Sequence, residues 1–173
     1  MIDKHLTTDS RGLMTPMIKA IKSLFIACLS LVAFSSCIES ALYEQYQAIE
    51  NQSWEKNKEY YFTFSVEDIS VPYDLFLEVR NTNLYPYQNL WVFSQQELPI
   101  GSIQKDTIEC MLADDFGKWF GKGISIFQMN FPIRSNYYFP NKGQYTFSFR
   151  QGMRTDTLEG IHEIGFKVEK SRH

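Results

Sequence analysis

The stretch Glu59-Tyr60-Tyr61-Phe62-Thr63-Phe64-Ser65-Val66-Glu67 decides the fold class of this chain. Its even positions carry large apolar side chains, and its odd positions from Thr63 onward are polar. Successive side chains of a β-strand point to opposite faces, so this alternation predicts a strand with one buried and one solvated face. The chain also has 14 Phe, 10 Tyr and 3 Trp residues, and aromatic residues favour strands.

The same two-residue period recurs along the rest of the chain, at residues 73–80, 90–96, 105–112, 124–133, 143–151 and 164–170. Pro and Gly residues lie between these segments and mark turns. Short strands separated by turns predict an all-β fold, an antiparallel β-sandwich of seven or eight strands that is either immunoglobulin-like or jelly-roll-like. We expect one sandwich domain over residues 54–170.

Residues 1–36 have the layout of a leader and secretory signal peptide. A basic segment with Lys19 and Lys22 precedes an uncharged apolar run from Leu24 to Phe34. This run of 11 residues is short for a transmembrane helix, which needs about 20. Met17 is the better start for such a signal, so residues 1–16 are interpreted as upstream of the true start.

The apolar run ends in Phe34-Ser35-Ser36-Cys37, which resembles the lipobox of bacterial lipoproteins. The resemblance implies cleavage before Cys37 and lipidation of its thiol, with palmitate-type acyl chains that hold the protein on a membrane. The next residues, starting with Ile38, do not begin with Asp, which by analogy with lipoprotein sorting favours the outer membrane. Residues 37–53 are then a lipidated tether, in which Tyr43, Tyr46 and Ile49 suggest one or two helical or extended turns.

Charge and cysteine usage limit the possible partners. The formal net charge is −3, and removal of the leader, with four basic and two acidic residues, makes it about −5. A mildly acidic domain without a basic run offers little to a phosphate backbone, so we expect no nucleic-acid partner. Cys110 is the one cysteine beyond Cys37 and is predicted to be a buried core thiol.

The chain offers few residues for catalysis, and we predict that it is not an enzyme and uses no cofactor. His162 is predicted to be a surface or turn residue, with Glu163 on the opposite strand face. The segment from Asp114 to Gly117 resembles half of a calcium loop but lacks the later bidentate acid. A turn that uses Asp for backbone hydrogen bonds is favoured there over a metal site.

An aromatic turn is the candidate interaction surface. Tyr85 and Tyr87 flank Pro86, and Trp91 follows in the next strand; Trp119 is added from a later Gly-rich loop. Aromatic side chains in such a surface stack on sugars or anchor protein partners. The alternative is that both faces of the strand at Trp91 are buried, between two sheets or under the Trp119 loop.

A set of short segments resembles the gliding motility lipoprotein GldH family. These segments follow the lipobox in order: Tyr43-Glu44-Gln45-Tyr46, Trp54, Phe62-Thr63-Phe64, Pro72-Tyr73-Asp74-Leu75, Tyr85-Pro86-Tyr87-Gln88-Asn89-Leu90, Gly117-Lys118-Trp119-Phe120-Gly121, Gly143-Gln144-Tyr145-Thr146-Phe147 and Leu158-Glu159-Gly160-Ile161. The resemblance implies a membrane-anchored, non-enzymatic lipoprotein that serves the gliding motility machinery as a structural or assembly component, with other envelope or gliding-machinery proteins as partners. The alternative function is a cell-envelope glycan- or peptide-binding β-sandwich lipoprotein.

Overall fold

The computed structural model describes residues 41–172, which form ten β-strands and one short 3₁₀ turn at Glu50–Gln52. The strands are β1 (Tyr43–Ala48), β2 (Ser53–Glu55), β3 (Glu59–Val66), β4 (Tyr73–Thr82), β5 (Asn89–Glu97), β6 (Ile103–Met111), β7 (Ile126–Tyr137), β8 (Gly143–Gln151), β9 (Thr157–Glu159) and β10 (Ile161–Lys170).

Eight of these strands make two four-stranded antiparallel sheets. The first sheet has the order β1-β10-β4-β7 and the second has the order β3-β8-β5-β6, while β2 and β9 form a separate two-stranded ribbon. Apart from the β5–β6 hairpin, chain neighbours among the eight lie in opposite sheets. This order is that of a jelly roll, so the predicted all-β antiparallel sandwich is confirmed in its jelly-roll form.

Aromatic rings fill the space between the sheets. Phe166 of β10 lies at the centre, with its ring centroid 4.6–5.9 Å from four rings of the second sheet, those of Phe62, Phe64, Phe147 and Phe149. The alternating positions predicted to face inward in β3 and β4 are all buried: Tyr60, Phe62, Phe64, Val66, Tyr73, Leu75, Leu77 and Val79. Burial of this much apolar surface is the main force that holds the two sheets together.

The structure differs from the sequence prediction at the N-terminal side of the domain. Residues 43–53 were predicted to be part of the tether, but β1 pairs with β10 over its full length and β2 pairs with β9. Trp54 explains the second pairing, because its indole is fully buried and its Nε1 donates to the Lys58 carbonyl at 3.0 Å. The described domain therefore includes the residues from Tyr43 onward.

The connections between strands collect at the two ends of the sandwich. One end, here called the loop pole, carries residues 83–88 and 112–125 together with the β2–β9 ribbon. The opposite end, the N-terminal pole, carries the start of β1 and the turns before β4, β6 and β8. From Leu75 to Thr82, β4 spans about 23 Å of the distance between these poles.

Residues 41–172 contain no helix with the length and apolar character that a membrane crossing requires.

Candidate functional site

The predicted lipidation residue, Cys37, lies outside the described residues. Tyr43, where β1 begins, follows it by six positions in the sequence. Tyr43 is fixed in the domain, because its ring lies 5.2 Å from that of Phe64 in the opposite sheet. The start of β1 is therefore packed into the domain at the N-terminal pole.

Three of the four residues predicted as an interaction surface lie together at the loop pole. The ring of Tyr85 lies 5.8 Å from that of Tyr87 and 6.4 Å from that of Trp119. Tyr85 is buried, its hydroxyl donates to the Asn89 carbonyl at 2.7 Å, and burial raises its pKa. It is a core residue that supports the pole, and this corrects its place in a predicted exposed surface.

Trp119 is held in this cluster by a second set of contacts. Its Nε1 donates to Asn83 Oδ1 at 2.8 Å, and its ring stacks on Phe127 with a centroid distance of 5.8 Å. The loop from residue 112 to 125 is thereby tied to the connection between β4 and β5 and to β7. Among the more exposed side chains of this pole, Tyr87 packs edge-on against Tyr85.

Trp91 lies apart from the other three residues, on the outward face of the second sheet. Leu90 and Val92 point into the core, whereas Trp91 is 37% exposed and Phe93 is 42% exposed. The alternative that both faces of this strand are buried is therefore wrong. The Arg150 guanidinium lies 5.3 Å from the centre of the Phe93 ring, so an aromatic and cationic surface faces solvent here.

The loop pole also exposes large apolar side chains that the sequence analysis did not single out. Phe116 is 96% exposed and Ile124 is 92% exposed, and the other exposed members are Leu84, Tyr87, Phe120 and Ile126. Lys118 and Lys122 lie between them in the sequence and are exposed too. Exposed apolar groups this close together, with charged neighbours, are typical of protein or membrane contact sites. The sequence signal that could have found these side chains is the group of closely spaced Gly residues between residues 112 and 125. This segment forms no regular strand.

The segment from Asp114 to Gly117 forms the turn that was predicted. Asp114 Oδ1 accepts hydrogen bonds from the backbone N–H groups of Phe116 and Lys118, both at 2.9 Å. Gly117 has φ +79°, in the left-handed region that favours glycine. No cluster of three His, Cys, Asp or Glu side chains suited to a metal ion is present among residues 41–172.

The other residues considered for chemistry occupy structural positions. Cys110 is fully buried, as predicted, and burial raises the pKa of its thiol to about 12, which keeps it protonated and unreactive. His162 lies in β10 with its side chain partly exposed. A bulge between Ile161 and Glu163 brings His162 Nε2 to 3.9 Å from Glu163 Oε1, so the prediction that they point to opposite faces is wrong.

Comparison with known proteins adds to this description. Residues 41–168 match the model of the GldH lipoprotein family. A gliding motility lipoprotein GldH homolog from Christiangramia forsetii is 32% identical over 86% of this chain and 96% of its own length. The gliding motility lipoprotein GldH of Flavobacterium johnsoniae is 28% identical over 87% of this chain and 98% of its own length.

Among solved structures, the VP2 subviral particle of infectious bursal disease virus matches at 12% identity and a TM-score of 0.34, over 77% of this chain and 34% of the viral chain. That similarity is too low to bear on function. The family match covers the strands of both sheets, including β1 and all but the end of β10. The chain therefore belongs to the GldH lipoprotein family.

Proposed function

We propose that this chain is a lipid-anchored lipoprotein that acts as a non-enzymatic structural or assembly component of the bacterial gliding motility machinery. The observation that carries this proposal is the family match over residues 41–168. Two relatives named as gliding motility lipoproteins also match this chain over nearly their whole length. The proposal places the protein in the cell envelope, on the outer membrane, where it works by contact with other envelope or gliding-machinery proteins.

The lipobox-like sequence before Cys37 supports the anchor. Two or more acyl chains give stable membrane attachment, at about 0.8 kcal/mol for each buried methylene. The six-residue connection from Cys37 to Tyr43 spans at most about 21 Å when extended. Such a short tether keeps the N-terminal pole near the lipid surface.

The positions of the reactive side chains support a role by contact without catalysis. The Cys110 thiol is enclosed in the core, and Asp114 is occupied by two backbone N–H groups of its own turn. A nucleophile needs a base within hydrogen-bonding reach. His162 lies on β10, in the first sheet, whereas Cys110 lies on β6, at the far edge of the second sheet.

The loop pole is the proposed contact surface for a partner protein. It lies at the end of the sandwich opposite to the start of β1, so a lipid on Cys37 leaves it accessible. The exposed Phe116 and Ile124 would be buried by a partner, and Lys118 and Lys122 would form the polar rim that protein interfaces commonly have.

Replacement of Cys37 tests this function in a gliding host. Cys37→Ala removes the lipidated thiol, and we expect loss of surface movement together with release of the protein from the membrane fraction. Cys110→Ala is the matched control, because it also removes one thiol but leaves the anchor intact. Unchanged movement and unchanged composition of the motility complex in the Cys37→Ala strain would contradict the proposal.

A second candidate function is the capture of glycans or extended peptides on the outward face of the second sheet. The exposure of Trp91 and Phe93 beside Arg150 favours it, because aromatic faces stack on sugar rings. Binding on a glycan array that falls at least tenfold with Trp91→Ala, about 1.4 kcal/mol, would support this candidate. An array without signal would remove it.

A further inference from the structure

Strand β6 is one of the two edges of the second sheet, and its side away from β5 pairs with no other strand of residues 41–172. From the first sheet, Arg134 Nη1 of β7 reaches the Asp106 carboxylate of β6 at 2.9 Å. Seven of the nine residues of β6 are exposed, and only Ile108 and Cys110 are partly or fully buried. Its pairing with β5 runs from Ile103 to Met111 without a bulge. A long and regular edge of this kind is a template for pairing with another strand.

The backbone groups of β6 that face away from β5 can be assigned from the hydrogen bonds that β6 makes with β5. Leu112 N–H donates to the Gln88 carbonyl at 2.8 Å, so that pair is a hydrogen-bonded one. Because the groups alternate along an antiparallel strand, the even residues of β6 bond to β5 and the odd residues face the free edge. In agreement, Thr107 N–H donates to the carboxylate of the adjacent Asp106 at 2.8 Å and bonds no other strand of the described residues.

The other edges in the described part of the chain are contacted through their backbone by a side chain or are interrupted. On the opposite side of the sandwich, Gln47 Nε2 of β1 donates to the Tyr61 carbonyl of β3 at 2.6 Å. In β7, Pro132 lacks an N–H group, and the pairing with β4 has two register shifts. Proline and bulges are devices that prevent pairing at an edge. Strand β6 has neither.

The outward residues of β6 are complementary to themselves about Thr107. Their order is Ile103, Lys105, Thr107, Glu109, Met111, so apolar residues lie at the ends and opposite charges lie symmetrically about the centre. In an antiparallel pair with a two-fold axis at Thr107, each Lys105 lies opposite a Glu109 and each Ile103 lies opposite a Met111. None of the ion pairs within residues 41–172 uses Lys105 or Glu109.

We propose that β6 pairs with β6 of a second copy of this chain, antiparallel and centred on Thr107, to make one continuous eight-stranded sheet. The odd residues then form hydrogen-bonded pairs across the interface, with about ten backbone bonds. At the centre, each Thr107 N–H leaves Asp106 and donates to the Thr107 carbonyl of the second copy. The interface is isologous, as a two-fold dimer requires.

The neighbouring registers are worse by the same criteria. A shift of the two-fold axis to Asp106 places Ile103 opposite Glu109, and a shift to Ile108 places Lys105 opposite Met111. On the outward face, both shifts leave charged groups against apolar ones, which the register centred on Thr107 does not. Charge complementarity therefore selects the register centred on Thr107.

A disulfide test reads this register directly in the full chain, in its own cell envelope. Directly opposed residues of a hydrogen-bonded pair have Cα atoms about 5.5 Å apart, which a disulfide spans. We expect Thr107→Cys to form a dimer on a non-reducing gel under mild oxidation. Lys105→Cys is the matched control, because the two copies of residue 105 are about 15 Å apart in this register and should not cross-link.

A charge exchange is the second test, measured by sedimentation of the full chain in detergent. Lys105→Glu or Glu109→Lys alone creates two like-charge pairs and should weaken the dimer on the order of tenfold. The double variant Lys105→Glu/Glu109→Lys restores both pairs and should recover the affinity. Lys58→Glu, in the exposed turn before β3, is the charge control and should have no effect.

Three results would overturn the proposal. The first is a Thr107→Cys chain that stays monomeric or cross-links only to a different protein. The second is equal cross-linking of Thr107→Cys and Lys105→Cys. The third is a double charge variant that is no better than the single ones.

Discussion

Glu78 is a buried carboxylate on the outward face of the first sheet. It is 2% exposed, and its Oε2 has no hydrogen-bond partner in the described part of the chain. Burial raises the pKa of Glu78 above its ordinary value, and the nearby Tyr46 hydroxyl lowers it by less. Tyr46 covers the carboxylate and is itself held by the Arg80 guanidinium, 3.9 Å from its ring centre.

The raised pKa of Glu78 predicts a pH dependence of stability. The folded state binds the proton more tightly than the unfolded state, so stability is greatest below the ordinary Glu value and falls as pH rises through the folded pKa. We expect Glu78→Gln to remove this fall and to raise the free energy of unfolding at pH 7 by about 1 kcal/mol. Urea unfolding at several pH values between 4 and 7, followed by Trp fluorescence, measures both effects. If the free energy of unfolding of the Glu78→Gln variant fell with pH as steeply as that of the unsubstituted chain, this assignment would be contradicted.

Gly165 makes room for the Tyr46 ring. A Cβ atom at this position would lie 2.6 Å from two carbons of that ring, well inside contact distance. We expect Gly165→Ala to displace Tyr46 and to destabilise the protein by about 1–3 kcal/mol. In a Tyr46→Ser background the same substitution should cost much less, and a double-mutant cycle by urea unfolding measures the difference. Equal costs in both backgrounds would show that the ring is not the cause.

Strands in which apolar and polar residues alternate could be predicted from the sequence. The strands β3, β4, β5 and β8 were predicted within two residues of their observed ends, because most of their inward residues are apolar and most of their outward residues are polar. The strands β2 and β9 have three residues each, too short for a period to register. In β1, the large Tyr46 side chain lies on the outward face. The strand therefore has large side chains on both faces and lacks the alternation of apolar and polar residues.

The candidate site could be predicted only in part, because the exposure of each ring is not a local property of the sequence. The composition of the aromatic turn was visible in the sequence, but which of its rings would be exposed depended on contacts between distant segments. Tyr85 is enclosed by Trp119, and Gly160 approaches the Tyr85 backbone so closely that a Cβ would lie 2.2 Å from its nitrogen. Such long-range contacts leave no local pattern.

The loop between β6 and β7 is the element proposed to contact a partner, and its exposed side chains Phe116 and Ile124 lie outside the core. We expect the double variant Phe116→Ser/Ile124→Ser to change the free energy of unfolding by less than about 0.5 kcal/mol, because both side chains are already in solvent. The same variant should lose its partners in cross-linking of intact cells. Ile100→Ser, equally apolar to polar but at the N-terminal pole, is the control and should keep them. Full retention of partners by the double variant would exclude the loop pole as the contact surface.

We propose three surfaces of the molecule with different tasks. The N-terminal pole would follow a lipidated Cys37, the loop pole at the other end would contact a partner protein, and the edge at β6 would pair with a second copy. The edge runs along the side of the sandwich between the poles, so pairing at β6 leaves both ends free. Each surface can therefore be removed by substitution without the other two.

A lipid on Cys37 that tethers this domain to the envelope is the feature on which the proposed function depends most. Mass spectrometry of the protein purified from its own membranes tests it most directly, by reading the N-terminal residue and its mass. We expect a chain that begins at Cys37 and carries acyl chains on it. A chain that retains residues before Cys37 and carries no acyl group would contradict it.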